Sequence, residues 1–338
     1  MSAIEEVGSQ APAVEAVPKR AMTLSSGTAF VVVLLLLVVP LFVKNFIIFQ
    51  MTMLLIYGLA VLALNILTGG SGQFSLGQSA FYAVGAYTSA ILMEQYNINY
   101  ALTLPIAGVV CFGFGFLFGQ PALRLSGVYL ALATFALATA MPQLLKLNFL
   151  EHWTGGVQGL VVTKPDAPFG LPMSQDMWLY YFTLAITIAI YIFSVNLLRS
   201  RSGRAFMAIR DNEIAASAMG IDVATYKTLA FGVSAGITGV AGGLGAIAVQ
   251  FVAPDSYTIV LAISLFLGMV VGGVGWLPGS FIGAAFIIFV PNIAEGISKG
   301  LSGAVFGVLL FLIIFLVPHG ARQVAMVAQQ LLSKVRKT

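Results

Sequence analysis

The residues best placed to do chemistry lie in two short stretches. The first reads Arg204-Ala205-Phe206-Met207-Ala208-Ile209-Arg210-Asp211-Asn212-Glu213-Ile214-Ala215-Ala216-Ser217-Ala218-Met219-Gly220-Ile221. On one helix, Ala205, Ile209, Ala216 and Met219 share an apolar face, with Arg210, Asp211 and Glu213 beside it. Such a helix can dock into a groove on another protein, apolar contacts giving affinity and charges setting register. It can equally lie among lipid headgroups, which Arg199, Arg201 and Arg204 favour. Spacing alone does not choose between the two.

The second stretch runs from Gly69 to Tyr87. Gly69, Gly70, Gly72 and Gly77 break the backbone, and Gln73, Ser75, Gln78, Ser79, Tyr82 and Tyr87 then bring amides and hydroxyls into apolar surroundings. Irregular backbone in such a place must be buried in protein or face a wet cavity. Amides, hydroxyls and free N–H groups at a helix start suit transient binding of a zwitterion. Polar glue between helices is the competing reading. Farther on, Thr154, Gly155, Gly156 and Gln158 form either a cap or contact surface on a pathway or a plain glycine-rich turn.

Missing chemistry narrows the choice. No Gly-x-x-x-x-Gly-Lys-Ser/Thr run occurs, so the chain has no P-loop with which to hydrolyse ATP by itself. The two histidines, His152 and His319, belong to no cluster with metal-ligand spacing. No nucleophile–base pair or paired carboxylates fall at one depth, which argues against an enzyme. Cys111 is the single cysteine, inside an apolar segment, and reads as a packing residue.

The elements that must position these residues are membrane helices. The chain of 338 residues is 59% hydrophobic and only 8% charged, against roughly a quarter charged in a soluble domain. Uncharged runs such as 28–43 and 257–274 are tolerated by a lipid bilayer. Hydropathy places spans near 28–43, 46–68, 76–93, 101–122, 127–147, 177–198, 228–251, 257–274, 277–292 and 302–318, against a need of about 20 residues each. The expectation is an all-α integral membrane protein of about ten transmembrane helices, the first and ninth short. No carboxylate falls inside these spans, and Glu94 and Glu295 sit at span ends, which argues against proton coupling.

Charge orients the helices. With the amino terminus inside, Lys19, Arg20, Arg124, Arg199, Arg201, Arg204, Arg210, Lys227, Arg322, Lys334, Arg336 and Lys337 all face the cytoplasm. That is twelve of the sixteen basic residues, leaving Lys44, Lys146, Lys164 and Lys299 outside. The net charge of +4 is thus explained by topology, without nucleic acid. Residues 1–26 read as a disordered cytoplasmic tail that poorly matches a signal peptide, 27–320 as the membrane domain and 321–338 as a second cytoplasmic tail. The membrane domain carries an external loop at 148–176 and a cytoplasmic loop at 199–227, helix-compatible from Gly203 to Gly220. Five spans in each half would make any repeat inverted. The likeness of Gly69-Gly70-Ser71-Gly72 to Gly272-Gly273-Val274-Gly275 falls on one side in that topology, so it reads as coincidence or local packing. Gly232, Gly236, Gly239 and Gly243, then Gly268, Gly272, Gly275, Gly279 and Gly283, point to close helix packing.

A family resemblance chooses between the readings of the first stretch. Arg210-Asp211-Asn212-Glu213-Ile214-Ala215-Ala216 followed by Gly220-Ile221 resembles the "EAA" coupling loop of ABC-importer permeases in its branched-chain amino-acid (Liv) form, with Ile214 inserted. Leu64-Asn65-Ile66-Leu67-Thr68-Gly69-Gly70-Ser71-Gly72-Gln73-Phe74-Ser75-Leu76-Gly77, Ala80-Phe81-Tyr82-Ala83-Val84-Gly85-Ala86-Tyr87 and Arg124-Leu125-Ser126-Gly127-Val128-Tyr129-Leu130-Ala131 match the same pattern. So does Leu150-Glu151-His152-Trp153-Thr154-Gly155-Gly156-Val157-Gln158-Gly159-Leu160, whose loop and the amino-terminal extension are similar to the LivM type. The resemblance covers about 46–318. It implies a type II importer permease in a bacterial inner membrane, both termini cytoplasmic, that binds no cofactor itself. Its implied partners are a LivH-like second permease, two ATPase subunits carrying ATP and Mg, and an external solute-binding protein. Arg210, Asp211, Glu213, Ala215, Ala216 and Gly220 would couple to the ATPases. Branched-chain amino acids, other amino acids, urea, amides and aromatic acids are the solute classes it implies. A self-sufficient carrier or channel is the alternative.

Overall fold

A computed structural model describes residues 26–122, 125, 127–167, 173–297 and 307. The tail expected at 1–26 lies outside these residues except for Ser26, as do Arg124, Ser126, the span expected at 302–318 except for Gly307, and the tail expected at 321–338.

Long apolar runs form most of the helices, and the shorter α6, α8 and α9 are built on polar or amphipathic stretches. In order these are α1 (Ser26–Val38), α2 (Asn45–Asn65), α3 (Gln78–Glu94), α4 (Tyr100–Ala122), α5 (Val128–Leu145) and the short α6 (Asn148–Thr154). Then follow α7 (Gln175–Arg199), α8 (Arg201–Asp211), α9 (Glu213–Ala218), α10 (Val223–Val249), α11 (Ile259–Gly272) and α12 (Gly279–Ile297). Two-residue strands β1 (Leu160–Val161) and β2 (Phe251–Val252) pair antiparallel, Leu160 opposite Val252.

Each of the nine spans expected between 28 and 292 falls on a helix. Six helical segments among the described residues are long and apolar enough to cross a membrane: Asn45–Gly70, Tyr100–Pro121, Val128–Leu145, Gln175–Arg199, Val223–Val249 and Pro254–Gly272. The 13-residue α1, the 17-residue α3 and the apolar part of α12, Gly279–Ile293, are shorter than the roughly 20 residues a crossing needs. The shortness of α3 has a local cause. Its predecessor α2 widens into a π-turn at Ile66–Gly70 and the chain then runs irregularly to Gly77, with Ser71, Gln73, Ser75 and Gly77 buried and Gly72 and Phe74 exposed, so part of the bundle's height is non-helical backbone.

The centre of the bundle is α10, enclosed on nearly all sides by α2, α3 and α4. Small residues make this possible. Gly85 on α3 packs backbone to backbone on Gly239 of α10, and Gly239 in turn meets Cys111 of α4. The glycine rows on α10, α11 and α12 do serve close packing as their spacing implied, with Gly268 against Gly283 and Gly272 against Gly279. The periphery is apolar and exposed, with Leu34, Leu117, Leu132, Ile192 and Val260 all pointing outward. A protein surrounded by water would not carry such a belt; hydrocarbon accepts it.

The loop at 199–227 differs from the single helix expected. It forms two helices because Asn212 breaks the run with extended backbone (φ −162°, ψ 109°) and caps α9, its Oδ1 accepting from the Ala215 N–H at 3.0 Å. The break changes the phase. Ala205, Ile209 and Ala216 remain buried, but Met219, expected on the same face, is 84% exposed, as is Ile214.

Candidate functional site

The two stretches singled out by their chemistry meet. Arg210, near the end of α8, donates from Nη1 to the carbonyl of Gly69 at 2.8 Å and holds Asp211 with its other nitrogens. The receiving carbonyl lies in the π-turn, where α2 backbone groups are released from the regular i−4 pattern and accept other donors. Gly72, at φ +74°, lets the chain turn directly against the Arg210 side chain.

On its other side Gly69 lies against Gly275; a methyl at Gly69 would stand 2.5 Å from the Gly275 nitrogen. The two similar glycine motifs are therefore in contact, which makes local packing the correct reading of their likeness. Asn65, one turn earlier on α2, clamps the α11–α12 connection. Its Oδ1 accepts from Gly275 N–H at 2.6 Å, and its Nδ2 donates to Trp276 O at 3.0 Å, Gly273 O at 3.3 Å and Ser280 Oγ at 3.3 Å. A buried side-chain amide with this many partners fixes two connections as one piece. Its role went unread in the sequence, although a lone Asn inside an apolar span is a recognisable signal.

A second tie joins the same region to α10. Gln73 donates to Ser71 Oγ at 2.9 Å and to the Lys227 carbonyl at 3.1 Å, while the Lys227 ammonium, largely buried, pairs with Glu213 at the start of α9. Asp222 caps α10 and accepts from the Thr225 hydroxyl and from the amides of Thr225 and Ala224. Those bonds, the Thr225 hydroxyl foremost, hold its carboxyl below the usual aspartate range. Ala215 and Gly220 lie exposed on or just after α9, and Gly220 adopts φ +83° where the chain reverses toward α10.

The other polar residues of the second stretch divide into two groups. Gln78 spends both ends of its amide on α10, donating to Ser234 Oγ at 2.8 Å and accepting from Thr238 Oγ1 at 3.0 Å. Ser234 passes the chain on to Ala63 O at 2.8 Å, and Ser75 Oγ accepts from Gly77 N–H at 3.2 Å. Ser79 and Tyr87, by contrast, are buried with hydroxyls that have no partner among the described residues, and Tyr82 lies tilted against Tyr57 and Tyr257.

At the far end of the bundle, Thr154 donates to Leu145 O at 2.8 Å and accepts from Gly156 N–H at 3.2 Å. Gly155 is the left-handed cap of α6 at φ +71°. Among the described residues, no group of three His, Cys, Asp or Glu could hold a metal.

A helical bundle with an apolar belt, irregular backbone packed against its helices and charge gathered at its ends is a multi-pass membrane protein. Over residues 46–317 the chain matches the family described as branched-chain amino acid transport system, permease component, and it belongs to that family. The high-affinity branched-chain amino acid transport system permease protein LivM of Salmonella typhimurium is 35% identical over 247 residues, covering 66% of this chain and 58% of that protein. LivM of Escherichia coli K12 is 35% identical over 271 residues, covering 73% of this chain and 63% of the relative. The chain thus spans less than two thirds of these two curated relatives. The autoinducer 2 import system permease protein LsrC of Escherichia coli O157:H7 is 28% identical over 262 residues, covering 75% and 72%. No solved structure matches the chain.

Proposed function

We propose that this chain is the membrane-spanning permease subunit of an ATP-driven importer, passing a small organic solute, branched-chain or related amino acids first, from an external binding protein to the cell interior. The observation that carries this reading is the bond from Arg210 to Gly69. It fastens a two-helix segment, with Ile214 and Met219 bare at its tip, to the π-turn where α2 abandons regular geometry.

In this reading α8–α9 faces the cytoplasm and docks on an ATPase subunit through Ile214, Ala215 and Met219, with Asp211 and Glu213 setting register. ATP and Mg bind to two such partner subunits, and this chain carries no cofactor. ATP-driven closure of the partners moves α8–α9 and, through Arg210, the Gly69–Gly275 contact, switching the bundle between inward-open and outward-open states. The solute passes along the α3 face bearing Ser79, Tyr82 and Tyr87, while Gln73, Ser75 and Gln78 hold the surrounding helices in register. The names of the two LivM relatives support the amino-acid assignment, and the sequence resemblance supports a second, LivH-like permease.

The same reading places the protein in a bacterial inner membrane with ten spans of type II architecture and both termini cytoplasmic. The packing supports inverted halves: α2 on α12 corresponds to α10 on α4, and α3 on α4 to α11 on α12. A self-sufficient carrier is not favoured, since nothing in such a carrier needs α9's exposed apolar tip. Replacing Glu213, or Gly220 with its positive φ, is expected to abolish ATP-coupled uptake with membrane insertion intact. Normal uptake in either variant would count against the proposal.

A further inference from the structure

Four tyrosines from three separate parts of the chain meet inside the bundle. Tyr57 stands midway along α2, Tyr82 and Tyr87 on α3, and Tyr257 on the short turn Pro254–Tyr257 before α11. Ring centroids are 6.3 Å apart for Tyr57 and Tyr82, 5.8 Å for Tyr82 and Tyr257, and 6.2 Å for Tyr87 and Tyr257. Tyr82, Tyr87 and Tyr257 are 4%, 3% and 5% exposed. A core that needed only bulk would use Phe or Leu here, because a buried hydroxyl is costly without a partner. Tyr87 Oη has none. The Tyr82 hydroxyl fits against Gly245 of α10, where any side chain would collide with it.

Three of these rings are mounted on long helices and one is not. Tyr257 ends a four-residue turn between β2 and α11. That turn is bracketed by the loop at the same end of the bundle. β1 pairs with β2, Val162 N–H donates to Gln250 O at 2.9 Å, and Lys146 pairs with Asp255 at 2.6 Å. Gly155 packs on the carbonyl of Gly159, and Gly159 on that of Val252. The Thr154-Gly155-Gly156 segment therefore shapes the loop whose strand β1 pairs with β2, the strand that leads into the Tyr257 turn.

We propose that Tyr57, Tyr82, Tyr87 and Tyr257 form the outer gate of the solute path, with Tyr257 as its movable leaf and the Lys146–Val162 loop as the arm that moves it. The proposal rests on the transport function given above. Its chemistry suits a zwitterion. The free Tyr87 hydroxyl donates to a carboxylate, and the ring faces attract an ammonium. The cluster itself carries no formal charge, so the solute is held without an ion pair that would retain it. In the present state the rings close on one another. Withdrawal of the Tyr257 turn leaves the other three in place on their helices and opens a slot between α3 and α11.

The test uses the complete complex, with permease partner, ATPase subunits and binding protein, in liposomes with radiolabelled leucine. Tyr257→Ala is expected to let preloaded leucine leak without ATP about tenfold faster, the population shift expected for losing its two aromatic pairs, while Tyr257→Phe keeps the seal. Tyr87→Phe is expected to raise KM for leucine about fivefold with the maximal rate unchanged, as for one lost hydrogen bond. Because the chain's single cysteine, Cys111, is fully buried, Tyr257→Cys supplies a thiol, itself buried in the present state, that outside reagent reaches only when the gate opens. Its reaction with an impermeant thiosulfonate added outside is expected to change about tenfold between nucleotide-free and ATP-bound complexes. Leak and labelling that stay at one level in a complex whose wild type imports leucine would overturn the gate alone. A wild-type complex without ATP-dependent leucine uptake would overturn the transport function and the gate with it.

Discussion

Arg210 reaches 141 positions back along the chain to donate to the Gly69 carbonyl. That contact joins the α8–α9 pair to the break in α2, and Gly69 passes the connection to Gly275 within van der Waals range. A displacement of α8 is thereby delivered to α2 and the α11–α12 connection together.

Arg210→Lys should separate charge from geometry. Lysine keeps the positive charge but cannot donate to Gly69 and grip Asp211 with one planar fork. The lost charge-assisted bond, about 1.5–3 kcal/mol, should weaken coupling roughly tenfold or more. ATP hydrolysis measured together with solute uptake should show hydrolysis continuing while uptake falls.

Two glycine substitutions should behave oppositely. Gly85→Ala places a methyl into the backbone of Gly239 and should lower stability by about 1–3 kcal/mol. Gly113→Ala meets nothing within 4 Å and should be neutral or stabilising by up to about 1 kcal/mol in its helix. Thermal unfolding of the detergent-solubilised protein compares them directly.

These contacts show how much was legible beforehand. Apolar runs located the helices because hydrocarbon length and composition are local properties, as the coincidence of 46–68 with α2 and 101–122 with α4 shows. The glycine rows announced close packing for the same reason. The partners of Gln78, at Ser234 and Thr238, are not local, so its spacing on α3 could not say whether it faced a cavity or another helix. Asn212 was readable, being an Asn three residues before the amide it caps, but helix-compatible residues on both sides concealed the break. Asn65 and the ring partners Tyr57 and Tyr257 acquire meaning only when α2, α3 and α11 are brought together.

The Glu213–Lys227 pair should be non-additive. Lys227 is 8% exposed, so Glu213→Gln leaves a buried ammonium without its partner. Combining it with Lys227→Met removes the orphaned charge. The double variant should unfold at a higher temperature than Glu213→Gln alone; simple addition of two losses would refute the pairing.

Acid should loosen the start of α10. The Asp222 carboxyl sits below its ordinary value of 3.8 because Thr225 and Ala224 donate to its charged form. A lowered folded-state value means the stabilisation is fully present above that ordinary value and is lost as pH falls through the lower one. Asp222→Asn should therefore melt with less dependence on pH than the native chain between about pH 5 and pH 2. Identical pH profiles would show that the cap contributes nothing.

The most direct test of the central claim is the sidedness of Met219. Met219→Cys, at a position 84% exposed, is treated with an impermeant maleimide in right-side-out and inside-out vesicles, with and without the ATPase partner. The account predicts labelling from the cytoplasmic face alone, and protection when the ATPase is bound. Labelling from the outer face, or cytoplasmic labelling that the ATPase leaves unchanged, would contradict it.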